Sequence, residues 1–265
     1  SRGPAWKTLV IGDGMFRALT LALTLWAGMA QGACRQSLVL ALDVSGSVDE
    51  REYVLQLEGV ARALEDPAVR AALLDMPATP VALAIFEWSG GSYQRLIQDW
   101  ISLGSANDIA LVTTRLRVWQ RSAAPETTAL GAAMEFAVAL QDRGPRCWRR
   151  VLDISGDGKN NDWPRPRTVR ASGQLGDMTI NALVIGTATT RSDDLRQSHI
   201  AELTAYFDAE ILHGPDAFLE AALGFEDYAD AMARKLLREL ETLPMGAAPP
   251  STPSRRFADA QTDAQ

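Results

Sequence analysis

Residues 37–42 read Ser-Leu-Val-Leu-Ala-Leu and are closed by Asp43. A run this apolar, with no polar residue at every second position, suits a strand covered on both faces, as in a parallel sheet. Asp49 follows, three residues before Glu52, in the spacing of a capping box. Tyr53, Leu57, Val60, Ala61 and Leu64 then recur at helical intervals, with Pro67 past the end. A buried strand followed by an amphipathic helix is the opening of a βαβ unit.

The alternation persists along the chain. Strands are expected over residues 81–86, 150–155 and 180–186, with a short one over 210–213. Residues 93–100 are more polar, carrying Arg95 and Gln98, and suit an edge. Helices are expected over 105–120, 128–140, 195–207 and 224–243; the second is apolar nearly all round and should be buried. Strands alternating with helices mean an α/β fold with a mainly parallel sheet. Ligands of such sheets bind beyond the carboxyl ends of the strands.

Both ends of the chain read differently. From Met15 the sequence runs Met-Phe-Arg, then an apolar stretch over 18–27, then Gly28-Met-Ala-Gln-Gly-Ala33. This is the pattern of a signal peptide over 15–33, with cleavage after Ala30, Gly32 or Ala33, and residues 1–14 read as a non-native upstream extension. A lipid anchor on Cys34 would want an aliphatic residue where Gln31 stands, so no stable membrane anchor is expected after cleavage. The domain proper is expected over 34–243, and the Pro-, Ala-, Ser- and Thr-rich residues 244–265 read as a disordered tail.

The net charge of −7 argues against nucleic acid, which wants a basic face. The chain has two cysteines, Cys34 and Cys147, and an even count after a signal peptide invites a disulfide. Export to the periplasm or medium is the expectation. His199 and His213 are the only histidines and neither stands beside a nucleophile motif, so a Ser/His/Asp hydrolase is hard to assemble.

Three strand ends carry the chemistry. Asp43-Val-Ser45-Gly46-Ser47 follows the first strand, Gly156-Asp157-Gly158 follows the strand over 150–155, and Thr127-Thr128-Ala-Leu-Gly131 precedes the buried helix. They offer two carboxylates and several hydroxyls, hard oxygen donors suited to magnesium or manganese, with calcium possible, rather than zinc. Two carboxylates at neighbouring strand tips repel unless a cation sits between them.

These pieces, in this order and on these elements, resemble the metal-ion-dependent adhesion site of von Willebrand factor A-type domains. The resemblance covers residues 34–243. It implies a doubly wound, Rossmann-like sheet of six strands with helices on both faces and one antiparallel edge strand. It implies that Asp43, Ser45, Ser47, Thr128 and Asp157 hold one divalent cation, with Thr127 the alternative threonine. It further implies a protein partner that offers an exposed Asp or Glu to that ion, and no enzymatic activity. The phrases Leu40-Ala-Leu-Asp-Val-Ser-Gly-Ser-Val48, Ile154-Ser-Gly-Asp-Gly158 with Asn160-Asn161, and Gly224-Phe-Glu-Asp-Tyr228 also resemble a bacterial family of secreted A-type proteins of unknown function.

Two alternatives stay open: a purely structural metal with partner docking elsewhere, and a metal-assisted hydrolase. The loop Ala123-Ala-Pro-Glu126 lacks the glycines usual before the threonine. Glu87, Trp88, Asn160 and Asn161 follow strand ends and are candidate partner contacts, with packing or turn formation as the competing roles. Asp153 is expected to be hydrogen-bonded structure. In the implied fold, the strands bearing Asp43 and Asp157 are parallel neighbours. Cys34 and Cys147 precede those aspartates by nine and ten residues, so both fall at the same height, and a disulfide should close a loop of more than a hundred residues.

Overall fold

A computed structural model describes residues 34–186 and 193–241. The expectations of an upstream extension, a signal peptide and a C-terminal tail lie outside the described residues. Among the described residues, no helix is long and apolar enough to cross a membrane.

Six strands form one sheet: β1 (Cys34–Asp43), β2 (Val81–Trp88), β3 (Gln94–Leu103), β4 (Cys147–Gly156), β5 (Thr179–Ile185) and β6 (Leu219–Ala222). Their order across the sheet is β3-β2-β1-β4-β5-β6. All neighbours pair parallel except β3, which runs antiparallel to β2 at one edge. The mainly parallel sheet is therefore as the alternation implied, and the doubly wound order with its antiparallel edge is as the resemblance implied.

Successive strand residues face opposite sides, so each strand feeds two cores. Leu38, Leu40 and Leu42 of β1 join one cluster, under α1 (Glu50–Glu65), α2 (Pro67–Leu74), α3 (Ala106–Val118) and α7 (Tyr228–Glu241). Val39 and Ala41 join the other, under α4 (Leu130–Asp142), α5 (Pro166–Ala171) and α6 (Asp193–Glu210). This two-sided burial explains why β1 reads as a continuous apolar run.

Helix α1 begins where the capping box predicts. Asp49 accepts from the Glu52 amide at 2.8 Å, and Glu52 accepts from the Asp49 amide at 2.9 Å. Pro67 lies past the end of α1, as expected, and opens a further helix, α2, at a first-turn position, where its missing N–H costs nothing. One expectation needs correction. Residues 210–213 are not the last strand. Helix α6 runs to Glu210, and the Ile211 and Leu212 amides turn back onto the Phe207 carbonyl. His213 makes only an isolated antiparallel bridge with Ile180. The edge strand is Leu219–Ala222 (Leu-Glu-Ala-Ala), whose residues have no strand preference of their own.

Cys34 and Cys147 face each other in the β1–β4 register and form a disulfide, with Cα atoms 4.6 Å apart and a separation of 113 positions in sequence. The bridge lies at the end of the sheet opposite Asp43.

The amphipathic face of α7 is interrupted by two fully buried charges, Lys235 and Glu239. Lys235 ion-pairs with Asp153 of β4, which is itself buried. Glu239 accepts from Gln36 of β1 at 3.2 Å and from Asn181 of β5. Asp153 is thus structural, but through its ion pair with Lys235 rather than through the hydrogen bonds expected of it.

Candidate metal site at the carboxyl edge of the sheet

β1 ends at Asp43, whose neighbours across the sheet are Trp88 and, one step back, the pair Leu42–Ser155. The chain then turns over Ser45, Gly46 and Ser47 into α1. The Ser45 amide donates to Asp43 Oδ1 at 2.8 Å, which fixes the carboxylate and starts the turn. Gly46 is required by proximity rather than by an unusual backbone angle. A Cβ there would stand 2.9 Å from Glu126 Cβ and 3.1 Å from Glu126 Cα. The 123–126 loop, glycine-poor as it is, therefore lies directly on this turn, and the Gly46 amide donates to the Glu126 carbonyl at 3.1 Å.

Thr128 stands just before α4, which starts at Leu130 rather than at the threonine. Its hydroxyl is not used to cap that helix; Thr128 Oγ1 donates to Ser45 Oγ at 3.2 Å. Its backbone amide donates to Asn161 Oδ1 at 2.7 Å. Ser45 and Ser47 hydroxyls lie 3.3 Å apart, and Ser47 Oγ donates to Asp157 Oδ1 at 2.6 Å. The five residues singled out in the sequence thus form one cluster drawn from the loops after β1 and β4 and from the α3–α4 connection.

The cluster is electrostatically incomplete. Asp43 is 0% exposed and Asp157 is buried, yet Oδ2 of each has no hydrogen-bond partner. Burial first, and then the charge of Asp157, push the Asp43 carboxyl up to about 8, against the stabilising bonds from Ser45. Burial also raises the Asp157 carboxyl, opposed by the Ser47 hydrogen bond and by the neighbouring His199 of α6. Two buried carboxylates that resist ionising, ringed by three hydroxyls, are a donor set that fits a hard divalent cation. Such an ion would supply the positive charge that both orphaned oxygens lack.

The remaining candidates divide. Asn161 supports the cluster through Thr128, and Asn160 holds its own loop by donating to the Asp162 carbonyl at 2.5 Å. Glu87 and Trp88 are not surface contacts. Trp88 is wholly buried in the core beneath the site. Glu87, also buried, accepts from Tyr53 at 2.7 Å, Tyr93 and Arg95 at 2.9 Å, and Trp119 at 3.0 Å. The period-2 direction of β2 turns Trp88 inward, and four donors from surrounding elements enclose Glu87. Sequence reasoning missed His199, because a helix 42 residues downstream brings it beside Asp157 and no local motif marks it.

Residues 33–244 match the family described as "Protein of unknown function (DUF1194)". Comparison with curated proteins gives no match. Among solved structures, the chain is similar to proximal thread matrix protein 1 from the mussel byssus. That likeness has a TM-score of 0.53 and 12% identity over 79% of this chain and 48% of that one. A further structure of the mussel protein, with a zinc-occupied metal-ion-dependent adhesion site, gives a TM-score of 0.53 at 14% identity over 78% and 46% of the two chains. A von Willebrand factor type A protein from Catenulispora acidiphila gives 0.52 at 14% identity over 78% and 43%. The chain spans less than half the length of each of these proteins. Its fold is that of von Willebrand A-type domains.

Proposed function

Because the chain belongs to the DUF1194 family, whose description supplies no activity, we propose its function from its own site: it binds one divalent cation through Asp43, Ser45, Ser47, Thr128 and Asp157 and uses that ion to hold an acidic side chain of a protein partner. The observation that carries this reading is the pair of buried carboxylates with unpartnered Oδ2 atoms beside three hydroxyls.

Each residue has a separate task. Asp43 and Asp157 supply negative charge from two parallel strands that the sheet holds side by side. Ser45, Ser47 and Thr128 contribute neutral oxygens, so the site does not fully neutralise the ion and leaves it receptive to one more anionic ligand. The bound cation supplies the positive charge to which that ligand is drawn. Asn161 holds the Thr128 backbone in place. The adhesion site filled by zinc in the mussel protein supports divalent binding by this fold. We take the preferred ions here to be magnesium or manganese, from the all-oxygen donor set.

We place the protein outside the cytoplasm, in the periplasm or medium, since a structural disulfide persists in oxidising compartments. Capture from a periplasmic extract by the immobilised full chain tests the reading. Partner recovery should require magnesium or manganese, disappear with chelator, and fail with Thr128→Ala. Recovery that ignores both the chelator and that substitution would refute it.

A further inference from the structure

A cavity of about 540 Å³ adjoins the metal cluster, lined in part by Asn161, Trp163, Arg165, Arg167 and Tyr206. Asn161 belongs to both, since the same side chain accepts the Thr128 amide. Trp163 is 66% exposed, a large indole facing solvent at the rim. Its loop is nevertheless tied at several points. Asp162 Oδ2 accepts from the Gly91 amide at 3.1 Å and from Thr127 Oγ1 at 2.9 Å, and Oδ1 accepts from the Trp163 amide at 2.7 Å. The Asn160 amide donates to the Tyr206 hydroxyl at 3.2 Å. With the backbone held in this way, only the side-chain torsions of Trp163 remain to be ordered when a ligand covers it.

The charges around the cavity are unevenly committed. Arg167 is paired with Glu210, and Lys159 with Glu202. Asp162 is engaged with the donors just named. The exposed side chain of Arg165 makes no hydrogen bond or ion pair among the described residues; its charge helps to lower the Glu210 carboxyl, whose hydrogen bonds go to Arg167. In a chain of net charge −7, this leaves a guanidinium with its N–H donors free in the same cavity wall as an exposed indole. A guanidinium presents paired N–H donors that match a carboxylate.

We propose that this cavity is the second half of the docking site, where Arg165 receives a second carboxylate from an acidic, extended segment of the partner protein and Trp163 covers the chain between the two acids. The inference rests on the metal-mediated reading above and adds the partner's local chemistry to it. Arg165 follows Asn161 by four residues, so chain reach limits their separation to about 14 Å. The second acid is accordingly sought two to four residues from the one that reaches the ion.

The test uses the full chain with manganese and synthetic glycine-rich peptides. Three carry a second Asp two, three or four residues after the first; matched controls carry Asn at that second position. At least one diacidic peptide should bind about fivefold tighter than its control, the upper range for an exposed ion pair. Arg165→Ala should remove that gain while leaving control affinity and manganese affinity unchanged, and Arg165→Lys should restore part of it. Trp163→Ala should weaken all the peptides. If the controls bind with manganese but no diacidic peptide gains, or Arg165→Ala leaves the gain intact, this inference is overturned and the metal reading stands. If no peptide binds even with manganese, both fall.

Discussion

Ser47 and Asp157 lie 110 residues apart in sequence, and the Ser47 hydroxyl donates to Asp157 Oδ1 at 2.6 Å across the mouth of the sheet. The bond joins the loop after β1 to the loop after β4, and it marks the position where we place a cation. Ser47 is exposed, so Ser47→Ala should change the melting temperature of chelated protein little. The same substitution should weaken manganese binding by more than about tenfold, the lower bound for losing even an outer-layer partner of a metal. Asn161→Ala, which removes the acceptor of the Thr128 amide, should cost between about tenfold and a hundredfold for the same reason. Titration of both variants with manganese reads the result.

Stability of the metal-free protein should fall as pH rises from about 4 to about 8. Burial and the charge of Asp157 raise the Asp43 carboxyl to about 8, and burial with the charge of Asp153 raises Glu239 to about 7. The folded state therefore holds protons that the unfolded chain has released. Their stabilising effect is full below the ordinary carboxylate values and is lost as pH passes the raised ones. A metal ion replaces the proton at Asp43, so metal affinity should rise with pH up to about 8 and binding should release protons. Calorimetry in two buffers of different ionisation enthalpy counts those protons. With saturating manganese, the remaining slope belongs to Glu239 and should flatten in Glu239→Gln.

Replacing both Cys34 and Cys147 by alanine should destabilise the domain by about 4–5 kcal/mol in the chain-entropy view of a loop this long. Denaturant unfolding with and without reductant measures it. The bridge is at the far end of the sheet from Asp43, so manganese affinity of the folded protein should not change.

Much of this was legible in the sequence because the fold repeats one local rule. The two-sided burial of β1, β2, β4 and β5 leaves apolar runs, and the runs of β1 and β4 end at the candidate site. Asp43, Ser45, Ser47 and Asp157 stand where the ends of two parallel strands converge, and Thr128, which follows no strand, could be grouped with them only through the resemblance to the adhesion site. The failures have non-local causes. β6 (Leu-Glu-Ala-Ala) takes its strand conformation from β5, its hydrogen-bonded neighbour. Glu87 and Trp88 follow the expected strand as a contact residue would, but Glu87 is enclosed by Tyr53, Tyr93, Arg95 and Trp119, which lie elsewhere in the sequence, and Trp88 packs into the core under α4 and α6. The charges Lys235 and Glu239 fall on the apolar face of α7, and only tertiary packing shows that Asp153, Gln36 and Asn181 meet them.

That buried layer makes a sharp stability prediction. Lys235→Met removes the cation between Asp153 and Glu239 and should destabilise by about 3–5 kcal/mol, the usual cost of leaving a buried charge unpaired. Adding Asp153→Leu should recover part of the loss, because a wholly apolar contact needs no partner. Chemical denaturation of the single and double variants decides this; equal losses in the two would contradict it.

The most direct measurement is a calorimetric titration of the full chain with manganese and with magnesium, run beside Asp43→Ala and followed by thermal melts with and without chelator. The account predicts one ion bound per chain and a melting temperature raised by metal, with a gain of about 2.7 kcal/mol at a hundredfold excess over the dissociation constant. It predicts that Asp43→Ala loses both responses. Absence of binding by either ion, together with melting indifferent to chelator, would contradict the claim that the buried carboxylates Asp43 and Asp157 form a metal site.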